Sequence, residues 1–376
     1  MNNSIKNIDW ILFLSTLPLL AVGLLTMNSF TGDSQFFIRQ LIWSIFSIIV
    51  FFSLCFVDFR FLRKTWVSVT LFLFSCILLV SLFFIGKISH GALSWLDFGL
   101  FSFQPADMIK LVLIIVLAKY FSRRHIEIAN IRHIIISGLY AFIIFILVLI
   151  QPDFGSAVIL FLIWFGMVLV SGISKKHLLG MFLLGIVSLS LLWVFVFKDY
   201  QKNRVMNFIH PLTDIRGAGY NAYQSTIAVG SGELLGKGVG YGTQSRLKFL
   251  PEYQSDFIFA AFAEEWGFLG VLILFIMYAI LVYRIIVNAM HGATNFEILF
   301  GAGMAIFLIS HFFINIGMNI QLLPVTGQTL PFVSYGGTHI LTEFIGLGIL
   351  MGMRKNARVI HRDSMKNEFI SYTGLQ

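Results

Sequence analysis

The chain contains ten apolar stretches close to the length of a membrane crossing, at about 10–28, 37–57, 66–85, 107–121, 134–151, 155–173, 177–197, 257–287, 296–320 and 338–354. About 20 apolar residues wound as a helix cross a hydrocarbon core about 30 Å thick. The charge content agrees, at 12% against 58% hydrophobic residues, where a soluble domain averages about 25% charged. So little charge cannot cover the surface of a water-soluble globule. The alternating ten-residue segments of a membrane β-barrel are missing. The expected fold class is therefore an all-α polytopic membrane protein with ten transmembrane helices, forming a single membrane domain over 1–376. Soluble, disordered and nucleic-acid-binding classes are excluded, and the expected surroundings are the lipid bilayer.

Lys and Arg set the expected orientation. Ten crossings place both termini on one side. The N-terminus, the loops 58–66, 119–133, 173–177 and 284–295, and Arg354 with the tail 355–376 hold 16 of the 26 basic residues. Short loops rich in Lys and Arg stay in the cytoplasm, so both termini are expected there. Cys55 and Cys76 lie inside apolar runs and show no pairing or metal-ligand pattern. The first run, Trp10 to Met27, lacks a small-residue cleavage pattern, so no cleaved leader is expected.

The opposite side carries a loop over 198–256, far longer than a helix connection needs. It is rich in Gly but interleaved with Tyr, Ile, Leu and Val, which reads as an ordered loop with short helices, packed on the membrane domain. A second segment, 86–106, holds Trp95, and a third, 321–337, is rich in Gly and Pro. Long ordered loops on a rigid scaffold often carry function.

Ionisable residues at membrane depth are costly unless paired or facing water. They are Asp107, Lys110, Asp153, Asp256, Glu264, Glu265 and Glu343. Asp107 and Lys110 are three apart and share a helix face. Asp153 follows Pro152 at the outer end of a span. Asp256 opens the eighth span, and Glu264 lies two turns further in, rotated by about 80°. Together they read as a carboxylate cluster with one lysine, open to the outside. Plainer readings stand beside this one. Asp256 caps a helix, Asp107 and Lys110 form a structural ion pair, Glu343 bonds a neighbouring span, and Trp95 anchors at the interface. The stretch Gly230 to Gly238 fails as a phosphate loop, because Gly238 stands where Ser or Thr must follow the lysine. Two classes remain open on these residues: a transporter or flippase with a polar cavity, and a membrane enzyme acting on a lipid-linked substrate at the outer surface.

Several runs resemble the SEDS family (shape, elongation, division and sporulation). They are Lys248-Phe249-Leu250-Pro251-Glu252-Tyr253-Gln254-Ser255-Asp256 with Phe257 to Gly267, and Leu323-Pro324-Val325-Thr326-Gly327-Gln328-Thr329-Leu330-Pro331-Phe332-Val333-Ser334-Tyr335-Gly336-Gly337. Gln104-Pro105-Ala106-Asp107 with Lys110, Gln151-Pro152-Asp153-Phe154-Gly155, and Gly219-Tyr220-Asn221 add to them. Gly242-Thr243-Gln244-Ser245 and the short tail look RodA-like rather than FtsW-like. The resemblance implies a peptidoglycan glycosyltransferase at the outer face of the bacterial cytoplasmic membrane, serving cell elongation. It would polymerise lipid II, an undecaprenyl-pyrophosphate-linked disaccharide-peptide, beside a class B penicillin-binding protein. Asp256 matches the essential outer-loop aspartate, a general base for an inverting transfer. Lys110 and Asp153 match polar residues near the cavity, Asp107 stands where the family usually has Glu, and Trp95 matches a loop tryptophan. Glu264 and Ser334 lie in matched runs, and Arg246 and Lys248 are cationic candidates for the leaving pyrophosphate. No cofactor is required, although a divalent cation, magnesium or manganese, bridging the pyrophosphate and Asp153 is compatible with these residues. Ser94 replaces the usual Arg, and Thr338-His339 the usual Ser pair. The rival expectations are a lipid II flippase and a non-catalytic scaffold of the cell-wall synthesis complex.

Overall fold

The computed structural model describes residues 8–29, 34–89, 92–97, 102–122, 131–195, 219–247, 249–250 and 252–354, with 202, 206 and 208 besides. The apolar runs are wound as helices, in which each backbone N–H and C=O bonds within its own segment, as a lipid surrounding demands. These are α1 (Trp10–Ser29), α2 (Ser34–Cys55), α3 (Thr65–Ile85), α4 (Pro105–Ser122), α5 (Ile131–Ile150), α6 (Phe154–Val170) and α7 (Lys175–Phe195). After the long loop come α10 (Ile258–Met290), α11 (Asn295–Asn319) and α12, over 337–354. The described part of the loop contains α8 (Tyr220–Ser231) and the short α9 (Thr243–Arg246). Six of the helices, α1, α2, α3, α5, α10 and α11, are long and apolar enough to cross a membrane.

The chain is mostly helical but not all-α. Three short strands form an antiparallel sheet, β1 (Lys87–Ser89), β2 (Ala92–Asp97) and β3 (Ser102–Phe103), in the order β1-β2-β3. Trp95 pairs with Lys87, and Leu96 with Phe103. The segment is too short and too mixed in polarity to register as a periodic element, so sequence reasoning reads it as loop.

Two helices form the centre. Most of α4 and α11 is buried, and α11 packs on α4, α6 and α10. Glycines set how closely the helices approach. A Cβ on Gly303 would sit 2.6 Å from a methyl of Ile114, and one on Gly346 would sit 2.3 Å from Met304. This central placement explains how α4 tolerates Asp107, Lys110 and Lys119: its charges face protein rather than lipid.

One acid ties the other end of the bundle. Asp9 accepts from the backbone N–H of Ile11 (3.1 Å) and Leu12 (3.2 Å), capping α1. It also accepts from Arg284 Nε (3.0 Å) and Asn288 (2.7 Å) on α10, and pairs with Arg354 of α12 at 3.2 Å. Burial alone would raise its pKa, but the hydrogen bonds from Asn288, Arg284 and Leu12 outweigh burial and hold the carboxyl below the usual carboxylate range. A depressed pKa means the stabilisation is complete above the unfolded value, about 4, and fades as pH falls through the folded value. Replacing Asp9 by Ala should cost about 3 kcal/mol by leaving arginines uncompensated. In thermal unfolding in detergent, the advantage of wild type over Asp9→Asn should be full at neutral pH and shrink at acid pH. An equal gap at all pH values would reject this account of Asp9.

Candidate active site

The segment 320–336 joins α11 to α12 without regular structure. Its backbone is held by side chains from several helices. Ser334 Oγ donates to the Ser255 carbonyl (2.6 Å) and accepts from Leu330 N–H (2.8 Å), and Tyr335 N–H donates to the Gln254 carbonyl (2.8 Å). Gln40 of α2 donates to the Ser334 carbonyl at 3.0 Å, and Asn315 donates to the Gln328 carbonyl at 2.7 Å. Phe332 N–H donates to Glu343 Oε2 at 3.0 Å. Ser334 is thus a buried fastener of the loop, with both oxygen contacts used inside the protein.

Asp256 sits just before α10 and is half-buried. The cap position belongs to Phe257, which makes no side-chain cap bond. Two side chains of α11 take over the work of a cap. Asn315 and Asn319 each donate to the Asp256 carbonyl at 3.0 Å. Asn319 Oδ1 accepts from Ala260 N–H (3.2 Å), one of the donors a helix start leaves unpaired. Ser225 of α8 donates to the Asn319 carbonyl at 2.8 Å, fixing that residue in turn. Against the Asp256 carboxylate lies Gly327, in the left-handed region at φ 68°. A Cβ there would meet Asp256 Oδ2 at 3.3 Å, so glycine lets the segment approach the carboxylate closely.

The expected cluster open to the outside is instead closed around Lys110. Asp107, Lys110, His311, His339 and Glu343 are all buried, because α4, α11 and α12 press together there. Lys110 Nζ donates to Asp107 Oδ1 (3.0 Å) and lies 3.3 Å from His311 Nε2. The other ring nitrogen of His311 faces the Thr329 carbonyl at 3.2 Å. A carbonyl only accepts, so Nδ1 carries the hydrogen and Nε2 offers its lone pair to the ammonium. Thr338 Oγ1 donates to Asp107 Oδ2 at 3.3 Å, and His339 bridges Asp107 (3.3 Å) and Glu343 (3.0 Å). The departure Thr338-His339 is therefore spent on holding Asp107.

Asp153 caps α6, accepting from Ser156 N–H (3.0 Å), and takes a second bond from Gln104 Nε2 (3.2 Å). Gly155, in the next turn, lies so close to the segment that a Cβ would fall 2.2 Å from Gln328 Nε2 and 2.6 Å from the Thr326 carbonyl. Asp153, Lys110 through His311, and Asp256 thus all border residues 326–329.

The remaining candidates lie elsewhere. Glu264 is fully buried, but its oxygens are taken by the outer loop. They accept from Lys237 Nζ (2.8 Å), Thr243 N–H (2.8 Å) and Oγ1 (2.9 Å), and Gln244 N–H (3.1 Å). It positions that loop and presents no free oxygen to a ligand. Arg246 is exposed at the end of α9, and Lys248 lies outside the described residues. Trp95 is half-buried on the small sheet, beside a buried Ser94. Among the described residues, no three His, Cys, Asp or Glu side chains converge to hold a metal ion. Asp153 Oδ1 and Oδ2 each accept one hydrogen bond.

Asn315 and Asn319 escaped sequence reasoning, although a signal existed. His311, Asn315 and Asn319 recur every four residues in an apolar run, one polar stripe on a helix.

A bundle of apolar helices, with a buried ion pair and a half-buried carboxylate near the ends of its spans, defines an integral membrane protein. Comparison with known proteins narrows the class. The family model of cell cycle proteins named for FtsW, RodA and SpoVE matches residues 6–359. Peptidoglycan glycosyltransferase MrdB of Escherichia coli K12 is 37% identical over 292 residues, covering 78% of this chain and 79% of that protein. Stage V sporulation protein E of Bacillus subtilis is 34% identical over 368 residues, covering 93% and 98%. A chain of a solved peptidoglycan synthase complex, described as coordinating polymerization and crosslinking, is similar with TM-score 0.80 at 28% identity, over 93% of this chain and 98% of that one. The rod shape determining protein RodA of Thermus thermophilus gives TM-score 0.70 at 27% identity, over 93% and 97%. The chain belongs to the FtsW, RodA and SpoVE family, and it is a multi-pass membrane protein.

The asparagine clamp yields a direct expectation. Asn319→Ala strands the Ala260 N–H and removes a donor from the Asp256 carbonyl, so it should destabilise by about 1–3 kcal/mol. Thermal unfolding of the purified variant checks this, and an unchanged midpoint would remove the clamp from the account.

Proposed function

We propose that this chain is a RodA-like peptidoglycan glycosyltransferase that joins lipid II units into glycan strands at the outer face of the bacterial cytoplasmic membrane, during cell elongation. In this reading the ten helices α1–α7 and α10–α12 all cross the bilayer, and both termini are cytoplasmic. The loop 198–256 is then outside. The gathering of α1, α10 and α12 ends on Asp9 supports termini on one side. A class B penicillin-binding protein crosslinks the strands that the chain makes, a pairing supported by the similarity to a peptidoglycan synthase complex.

The single observation that carries the reaction is the placement of Asp256, half-buried at the start of α10, with its backbone carbonyl clamped by Asn315 and Asn319 and its carboxylate set against Gly327. A sugar hydroxyl is a weak nucleophile at neutral pH, and a positioned carboxylate that takes its proton contributes about 10²–10⁴-fold. Asp256 is assigned that role. The hydroxyl attacks the anomeric carbon, the bond to the lipid pyrophosphate breaks, and the configuration inverts. Negative charge builds on the leaving pyrophosphate, and fixed cations meet it best in a site poor in water. Lys110 is the buried candidate, an ammonium with three donors of which Asp107 and His311 face two. Asp107, His339 and Glu343 hold it in place. Arg246 and Lys248 of the outer loop are assigned to the pyrophosphate from the water side, and Trp95 to the sugars. Asp153 borders the same segment and is assigned to substrate binding. No step is routed through a divalent cation.

The chain purified with its partner and supplied with fluorescent lipid II should give glycan polymer on a gel. Asp256→Asn should lower polymer formation by at least about 100-fold while the protein stays folded in the membrane. Retained polymerisation in Asp256→Asn would reject the base. Movement of labelled lipid II between leaflets, with no polymer even from wild type, would favour translocation instead.

A further inference from the structure

Helix α10 is 33 residues long, about 50 Å at 1.5 Å per residue, and a hydrocarbon core is about 30 Å thick. The helix is also broken. Gly267 has φ 64° and ψ −168°, far from helical values. The break divides two surroundings. Every residue from Ile258 to Glu265 is buried in protein. From Phe268 onward the helix shows apolar side chains to the outside, with Phe268 58% and Leu269 48% exposed. The stretch from Phe268 to Met290 measures about 34 Å as a helix, enough to cross the core alone. Gly267 thus divides the protein-buried start of the helix from its exposed apolar stretch, and the exposed Trp266 beside it is a residue type enriched at membrane interfaces.

A break at this depth frees backbone groups that lipid cannot satisfy. The turn Glu233 to Gly238 of the long loop supplies their partners. Phe268 N–H donates to the Glu233 carbonyl (2.9 Å) and Leu269 N–H to the Leu234 carbonyl (3.1 Å). In return, Lys237 N–H donates to the Glu264 carbonyl and Gly238 N–H to that of Glu265, both at 3.0 Å. The two backbones lie so close that a Cβ on Gly236 would fall 2.1 Å from the Glu265 carbonyl oxygen. The tip of the turn is Leu234-Leu235, 67% and 77% exposed. It is bonded beside Phe268 and Leu269, whose apolar side chains are exposed. The charges beside the tip are placed for an interface: Lys237 pairs with the buried Glu264 at 2.8 Å, and Glu233 is exposed at the turn's start, at headgroup level.

We propose that the turn Glu233–Gly238 is part of the membrane domain and dips into the leaflet at the N-terminal end of α10, with Leu234 and Leu235 seated among the lipid chains. The continuity of the tip with the lipid-facing side of α10 names the occupant: lipid, rather than a protein partner. The assignment does not rest on the catalytic reading.

A nitroxide label tests it. Leu235→Cys is made in a chain whose Cys55 and Cys76 are replaced by Ser, labelled, and placed in vesicles of phosphatidylglycerol and phosphatidylethanolamine without any other protein. Collision with oxygen, which concentrates in lipid, is compared with collision with a water-soluble nickel chelate. Ile273→Cys serves as the lipid reference and Asn221→Cys as the water reference. The label at 235 should behave like that at 273, with oxygen collisions favoured. Preference for nickel, as at 221, would overturn the proposal, and so would shielding from both reagents. Leu234→Cys repeats the measurement at the neighbouring position, so one badly folded variant does not decide the outcome.

Discussion

The structure turns on the hold that α11 has over the start of α10. Asn315 and Asn319 direct their amides at one backbone carbonyl, that of Asp256, and Asn319 also receives the N–H of Ala260. A helix that begins beneath a long loop has unpaired donors and no fixed entry angle. Here both problems are met by side chains from a neighbouring helix instead of a local cap. The cap residue itself, Phe257, makes no side-chain cap bond. Asn315 reaches the Gln328 carbonyl as well, so the same side chain aligns the segment that carries Gly327 against that carboxylate. One polar stripe on one helix thus fixes both walls of the site.

Beneath it lies a second polar layer with different logic. Lys110 and Asp107 are buried where an unpaired charge would be very costly. The ammonium has a carboxylate and an imidazole lone pair beside it, and the carboxylate has Thr338 and His339. Glu343 links this layer to the segment above through Phe332 N–H. Burial of this kind gives a cation that cannot wander, and in the proposed reaction it is the cation assigned to the charge developing on the leaving pyrophosphate.

Much of this was legible in the chain, for physical reasons that can be named. Helices follow from long apolar runs, and the Asp107–Lys110 pair follows from a spacing of three on one helix face. The small sheet around Trp95 was not legible, because two- to six-residue strands of mixed polarity carry no usable period. Glu264 is a substrate-binding candidate on sequence grounds, and its place in the packing is not legible there. An acid at membrane depth signals cost, yet spacing cannot tell that Lys237, Thr243 and Gln244 fold back to satisfy it. Asn315 and Asn319 were overlooked because the average apolarity of α11 hides them. Their purpose appears only once α10 is placed alongside. The expectation of an open acidic cluster failed for the same reason: openness is a property of the packing of three helices, and none of them shows it when read singly.

The central claim is that Asp256 takes a proton and does not merely hold the substrate. The affinity of the Asp256→Asn chain for lipid II, titrated in nanodiscs beside wild type, separates the two roles most directly. A base acts on the reacting hydroxyl, so Kd for lipid II should stay within about threefold of wild type, a difference of well under one tenfold step in binding. A loss of affinity of about 100-fold or more would make Asp256 a binding residue and contradict the account.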